Sequence, residues 1–181
     1  MRNPIATIIM QNGNEIIIEL YPDVAPNTVN SFINLAKKML YNNKRIKRIV
    51  KNYLIQPDYN YFDEDECNYF IEGEFRSNDF QNMLPIDKWV VAMAVDGTGL
   101  ASGSEFFISM GNNEKKLGGI VPGFGKVVSG FDELERIESV ETFAVDIDIP
   151  GVHVNEPLKP EIIESVTVET FGVEYPEPII V

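Results

Sequence analysis

Along most of this chain apolar residues either alternate with polar ones or run as short β-branched stretches, and only twice do they recur at helical spacing. Ala6 to Met10 and Glu15 to Tyr21 are two such stretches, split by Asn12-Gly13, a pair suited to a tight hairpin turn. Pro22 and Pro26 close the second stretch. From Thr28 to Tyr41, Val29, Phe32, Ile33, Leu35, Ala36 and Leu40 fall on one helical face, predicting an amphipathic helix with Pro26 in its tolerant first turn. Arg45 to Gln56 alternates again and predicts two strands with a turn near Lys51-Asn52. Pro57 to Ser77 is rich in Asp, Glu, Asn and Tyr, which predicts a surface excursion ending in a short strand, Tyr69-Phe70-Ile71. Strands follow at Trp89 to Val95, Glu105 to Ser109 and Phe124 to Val128. A second helix is predicted over Phe131 to Ile137, starting near Ser129 with Asp132 as a capping partner. Glu161 to Phe171 reads as a last alternating strand.

Many short strands, turn signals between them and two helices predict a mainly β protein, a closed antiparallel barrel or a sandwich. No repeat or linker divides the 181 residues, so one domain spanning 1–181 is expected. With 44% hydrophobic residues the chain can bury a sizeable core. Its longest apolar runs, such as Val90 to Val95, fall short of a membrane-spanning helix, and no signal sequence is visible behind Arg2. The single cysteine, Cys67, suits a reducing compartment, so a cytoplasmic location is expected. A net charge of −13 argues against a nucleic-acid partner, the cluster Lys44-Arg45-Ile46-Lys47-Arg48 being the one basic exception.

Conventional catalytic devices find few residues to use. The only histidine, His153, sits in a Pro- and Gly-containing segment, which removes triads and histidine metal sites. The acidic run Asp63-Glu64-Asp65-Glu66 lacks the spacing and the central glycine of a calcium loop, so no metal is expected. Arg48 stands out. Period-two alternation puts it on one face with Ile46 and Val50, an apolar setting for a guanidinium unless that face lines a groove.

The row from Ile46 to Asp58, with Arg48, Tyr53, Leu54 and Gln56 in it, resembles the active-site segment of cyclophilin-type peptidyl-prolyl isomerases. The resemblance continues through Met93-Ala94, through Gly103-Ser104-Glu105-Phe106-Phe107-Ile108, and through Leu117 ahead of Phe124-Gly125. It opens at Ile17 to Leu35 and closes at Val166 to Gly172, so it covers nearly the whole chain in order. The implied fold is a closed eight-stranded antiparallel β-barrel capped by two α-helices. The implied activity is peptidyl-prolyl cis-trans isomerisation in protein folding, acting on proline-containing polypeptides with no cofactor and as a monomer. Arg48 and Gln56 then take the catalytic positions. Tyr53, Leu54, Met93, Ala94, Glu105, Phe107, Lys116, Leu117 and Val121 line the substrate groove.

Several positions depart from the family pattern. Lys47 stands where the family has histidine, Glu105 where it has glutamine, and Lys116 where it has an indole or histidine. Val121 aligns roughly with a further histidine, and Pro57-Asp58 replaces a diglycine. These mark a divergent member. Glu105 is expected to pair with Arg48 or to orient it, and Lys47 and Lys116 to bias the groove toward acidic residues. Loss of the indole implies weak binding of cyclosporin-type macrocycles. Two alternatives stay open: a catalytically weak or silent module that binds proline-containing peptides, and an unrelated β-barrel ligand binder.

Overall fold

The computed structural model describes residues 2–57, 65–146 and 154–181, so His153 and the Asp63-Glu64 part of the acidic run lie outside the described residues. In chain order the elements are β1 (Ile5–Met10), β2 (Glu15–Leu20), α1 (Pro26–Lys37), β3 (Arg48–Val50), β4 (Leu54–Gln56), β5 (Phe70–Glu72), β6 (Val90–Val95) and β7 (Leu100–Ser109). Then come α2 (Glu114–Leu117), β8 (Gly123–Ser129), α3 (Phe131–Glu138), β9 (Thr142–Val145), β10 (Val154–Pro157) and β11 (Ile163–Glu169).

The main sheet runs β11-β1-β2-β8-β6-β7-β4-β3, antiparallel throughout, with β5 added along β7. Its two end strands meet through the residues that lead into them. Arg45 bridges Ile162, Ile46 N–H donates to the Glu161 carbonyl at 2.8 Å, and Ile163 N–H donates to the Lys44 carbonyl at 2.8 Å. The mainly β, barrel-like fold expected from the sequence is therefore present, closed by this short seam rather than by a full ladder.

Alternation decides what fills the barrel. Ala6, Ile8 and Met10 of β1 and Ile16, Ile18 and Leu20 of β2 all point inward and are buried. Phe32 of α1 meets Tyr41, Phe106 and Phe124 with ring centroids 5.1, 5.4 and 5.5 Å away. Tilted and edge-on contacts of this kind add to the area that aromatic rings bury. α3 inserts Leu134 and Ile137, neither of them exposed. α1 carries Pro26 in its first turn as expected, but its free amides are satisfied from outside the helix. The buried Glu74 carboxylate accepts from Asn27 N–H at 3.0 Å, Thr28 N–H at 2.8 Å and the Thr28 hydroxyl at 2.7 Å.

Some expectations are corrected. α1 ends at Lys37, not Tyr41, because Met39 turns to φ 59 and swings Tyr41 into the core. Asp132 does not cap α3: Gly130 takes the N-cap position at φ 88, where a Cβ would lie 2.2 Å from the Glu15 carbonyl oxygen. α2, a single turn, carries no periodic apolar signal, and the β9–β10 pair adds a small second sheet to the elements expected from the sequence. That pair lies beside β3, where Asn155 Nδ2 donates to the Ile49 carbonyl at 3.3 Å.

Candidate active site

The pleat of β7 sends Phe106 and Phe107 to opposite sides. Phe106 joins the barrel core. Phe107 joins a second apolar cluster on the outer face with Leu54, Ile86, Val90, Ala92 and Val121, edged by Tyr53, Leu84 and Leu117. Register makes the cluster continuous: Phe107 faces Ala92 across β6–β7, and Leu54 faces Ser109 across β4–β7. This apolar floor lies on the other side of the sheet from the main core and packs separately from it.

Arg48 stands at one end of this floor. It is paired in register with Gln56, and its Nη1 donates to Gln56 Oε1 at 3.2 Å. Ile49 and Ile55 between them point into the barrel, so the two polar side chains share the outer face with Leu54 and Val50. Partial burial lowers the Arg48 pKa, while Tyr53 works in the opposite direction. A guanidinium stays charged regardless, so the effect is to strip water from a permanent donor. Gln56 is 3% exposed, which fixes its amide as a local support.

The other end is built around Asn113. Its buried Nδ2 donates to the Tyr53 carbonyl at 2.8 Å and to Ser109 Oγ at 2.9 Å, and its N–H donates to the Ile86 carbonyl at 2.8 Å. One residue thus ties the β3–β4 turn and the end of β7, through its side chain, and the Ile86 loop, through its backbone, to α2. Glu114, the next residue, accepts from Arg76 at 2.8 Å and from Ile86 N–H at 2.8 Å, and those two contacts hold its carboxyl below the usual range. α2 then sets Leu117 against the apolar floor and Lys116 Nζ 5.2 Å from the Tyr53 ring centroid.

Comparison with known proteins places the chain in a family. Residues 5–168 match the family model described as cyclophilin type peptidyl-prolyl cis-trans isomerase/CLD. The chain belongs to that family. Peptidyl-prolyl cis-trans isomerase B of Escherichia coli is 29% identical over 164 residues, covering 87% of this chain and 95% of that protein. A peptidyl-prolyl cis-trans isomerase of Acinetobacter baylyi is 28% identical over 165 residues, covering 89% and 84%. The fold matches the crystal structure of a cyclophilin type isomerase from Cryptosporidium parvum with a TM-score of 0.73 at 21% identity, over 93% of this chain and 98% of that one.

Within this cyclophilin-type chain the structure brings most of the sequence-derived residues to one surface. Tyr53, Leu54, Phe107, Leu117 and Val121 form or edge the apolar floor, with Arg48 and Gln56 at one end and Lys116 at the other. Ala94 and Glu105 lie where the β6–β7 register shifts, just beyond the Met93–Phe106 pair, and both are half-buried. Met93 is a correction. It points into the barrel core, is not exposed at all, and cannot touch a groove ligand. Ile46 is another: β3 begins only at Arg48, so Ile46 packs in the core and does not share the arginine's face.

The small residues before Glu105 also serve a different purpose from the one their size suggests. A Cβ on Gly103 would lie 2.1 Å from the Tyr69 ring, and Ser31 Oγ donates to the Gly103 carbonyl at 2.6 Å. The close approach is made by the protein's own Tyr69. Sequence reading missed Leu84, Ile86, Val90, Ala92 and Asn113. The first two sit in a loop without periodicity, and Asn113 is distinguished only by its burial and its hydrogen bonds.

Proposed function

We propose that the outer groove isomerises prolyl peptide bonds, with Arg48 as the group that favours the twisted amide. Rotation about the bond loses amide resonance, at a barrier of about 18–20 kcal/mol. As the amide twists, the proline nitrogen becomes pyramidal and recovers a lone pair. A donor aimed at that nitrogen binds the twisted form better than the planar one, and only such a difference lowers the barrier. Each ~1.4 kcal/mol of difference is tenfold in rate. Phe107, Leu54, Tyr53 and Leu117 take the proline ring, Gln56 steadies the guanidinium, and the backbone near Ala94 holds the substrate chain.

The observation that carries this reading is the placing of the half-buried Arg48 donor beside Gln56 on the outer face that also carries the apolar cluster of Leu54 and Phe107. Weak activity is the second reading, favoured by the carboxylate of Glu105 two residues before Phe107 on β7. Exchange spectroscopy on an Ala-Pro peptide with substoichiometric protein separates the two. Accelerated cis–trans exchange supports the enzyme, and binding without acceleration leaves a peptide-binding module.

The chain as a single domain, a monomer and a protein-folding helper completes the proposal. A cytoplasmic setting is in keeping with the buried free thiol of Cys67, and the net charge of −13 disfavours nucleic acid. None of the described helices is long and apolar enough to cross a membrane.

A further inference from the structure

The two ends of the groove are chemically different. β3 and β4 pair Arg48 with Gln56, and β4 runs antiparallel to β7 with Leu54 opposite Ser109. The polar Arg48–Gln56 pair therefore lies at one end, Tyr53 at the other, with Leu54 and Phe107 between. At the Tyr53 end α2 supplies Lys116, whose ammonium rests 5.2 Å from the ring centroid. A ring attracts a cation through its quadrupole and leaves the unit charge in place.

No carboxylate among the described residues pairs with Lys116. The nearby ones are engaged elsewhere. Glu114 on the same turn is held by Arg76 and Ile86 N–H, and Glu138 accepts the Asn52 N–H at 2.7 Å. The Asn113 bonds hold α2 against the Tyr53 turn, so the exposed Lys116 is rooted beside the apolar floor with its ammonium near the Tyr53 ring. In a protein of net charge −13, an un-neutralised cation rooted beside a peptide groove is a local inversion of the field.

We propose that Lys116 is a specificity residue that selects proline segments carrying an acidic residue next to the proline. This rests on the isomerase reading of the same groove. A carboxylate one residue from the proline ring meets the ammonium and displaces water from it, while a lysine at that position meets a like charge. Lys116 touches substrate flank and takes no part in the twisting of the bond.

The test uses peptides identical except for Glu, Gln or Lys immediately before or after the proline, with wild type, Lys116→Gln and Lys116→Glu. Both isomerisation kcat/KM and binding by fluorescence anisotropy are read at low salt. The expected Glu-to-Lys ratio is about fivefold in wild type on whichever side of the proline faces Tyr53, the scale of one partly exposed ion pair. It falls to about one in Lys116→Gln and inverts in Lys116→Glu, and the differences shrink at high salt. A purely structural lysine would slow all peptides alike and leave the ratio untouched. A ratio unchanged in Lys116→Glu overturns the inference while leaving the enzyme reading in place. Charge-selective binding without any isomerisation removes the enzyme reading and leaves the specificity of Lys116 standing.

Discussion

Phe106 and Phe107 are adjacent in sequence and serve opposite sides of one sheet. Phe106 meets Phe32 and Tyr41 edge-on at 5.4 Å in each case and sits in the sealed interior. Phe107 forms the floor of a groove and has no ring neighbour of that kind among those described for the core. The first packs in the core cluster and the second in the outer one, though both are almost fully buried, at 1% and 4% exposed. Burial alone therefore does not assign a job. The face of the strand does, since one ring packs in the core cluster and the other in the outer cluster.

The pair of alanine variants breaks this comparison most forcefully. Phe106→Ala should cost about 3–5 kcal/mol of stability, seen as a large fall in Tm or a failure to fold. Phe107→Ala should retain a cooperative transition while its kcat/KM falls about 10–100-fold, the binding value of a buried phenyl ring. Equal losses of stability with equal losses of activity would erase the distinction between the faces.

Asn113→Ala tests whether the groove's far wall is held by that one amide. Removing it takes the donor from the Ser109 hydroxyl and one of two from the Tyr53 carbonyl, which keeps Met110 N–H at 2.9 Å, at about 1 kcal/mol. Thermal melts should show a modest fall, and KM should rise as the Tyr53 turn and α2 loosen.

Away from the groove, Arg136 binds Glu133 and Glu161 at 2.7 and 2.6 Å and ties α3 to the approach to β11. Burial pushes the Glu133 pKa up, but hydrogen bonds from Arg136, Asn14 and Asn12 outweigh it and leave it below the ordinary 4.5. A carboxyl depressed in the folded state stabilises above its unfolded value and loses that contribution as pH falls through its folded value. Glu133→Gln should thus be less stable than wild type by about 1–3 kcal/mol at neutral pH. Denaturant titrations should show the gap closing once pH falls below 4.5, with activity on an Ala-Pro peptide unchanged. A gap constant with pH would remove the charge from the account.

The smallest expected change is at Glu105, where Glu105→Gln should raise kcat/KM about two- to fivefold by removing a carboxylate from the arginine's end of the groove. A fall instead would make Glu105 a support for Arg48.

Alternation made the strands, and with them the sides of Phe106, Phe107, Leu54 and Arg48, legible in the sequence. It fails where pairing does not begin, as at Ile46, and a position shared with a family does not by itself tell groove from core, as at Met93. Loops gave least. Leu84 and Ile86 enter the groove from a segment with no period. Asn113 acts through hydrogen bonds to residues far along the chain, and Glu74 caps α1 from outside it. Such contacts depend on tertiary approach, which neither spacing nor composition encodes.

The central claim is that a charged planar donor at position 48 carries the rate enhancement. Cis–trans exchange of an Ala-Pro peptide, measured for wild type, Arg48→Lys and Arg48→Ala at matched Tm, tests it most directly. The account predicts a loss of about 100-fold in Arg48→Ala and only partial recovery in Arg48→Lys, whose ammonium lacks the rigid fork. Wild-type rates in Arg48→Ala would contradict it.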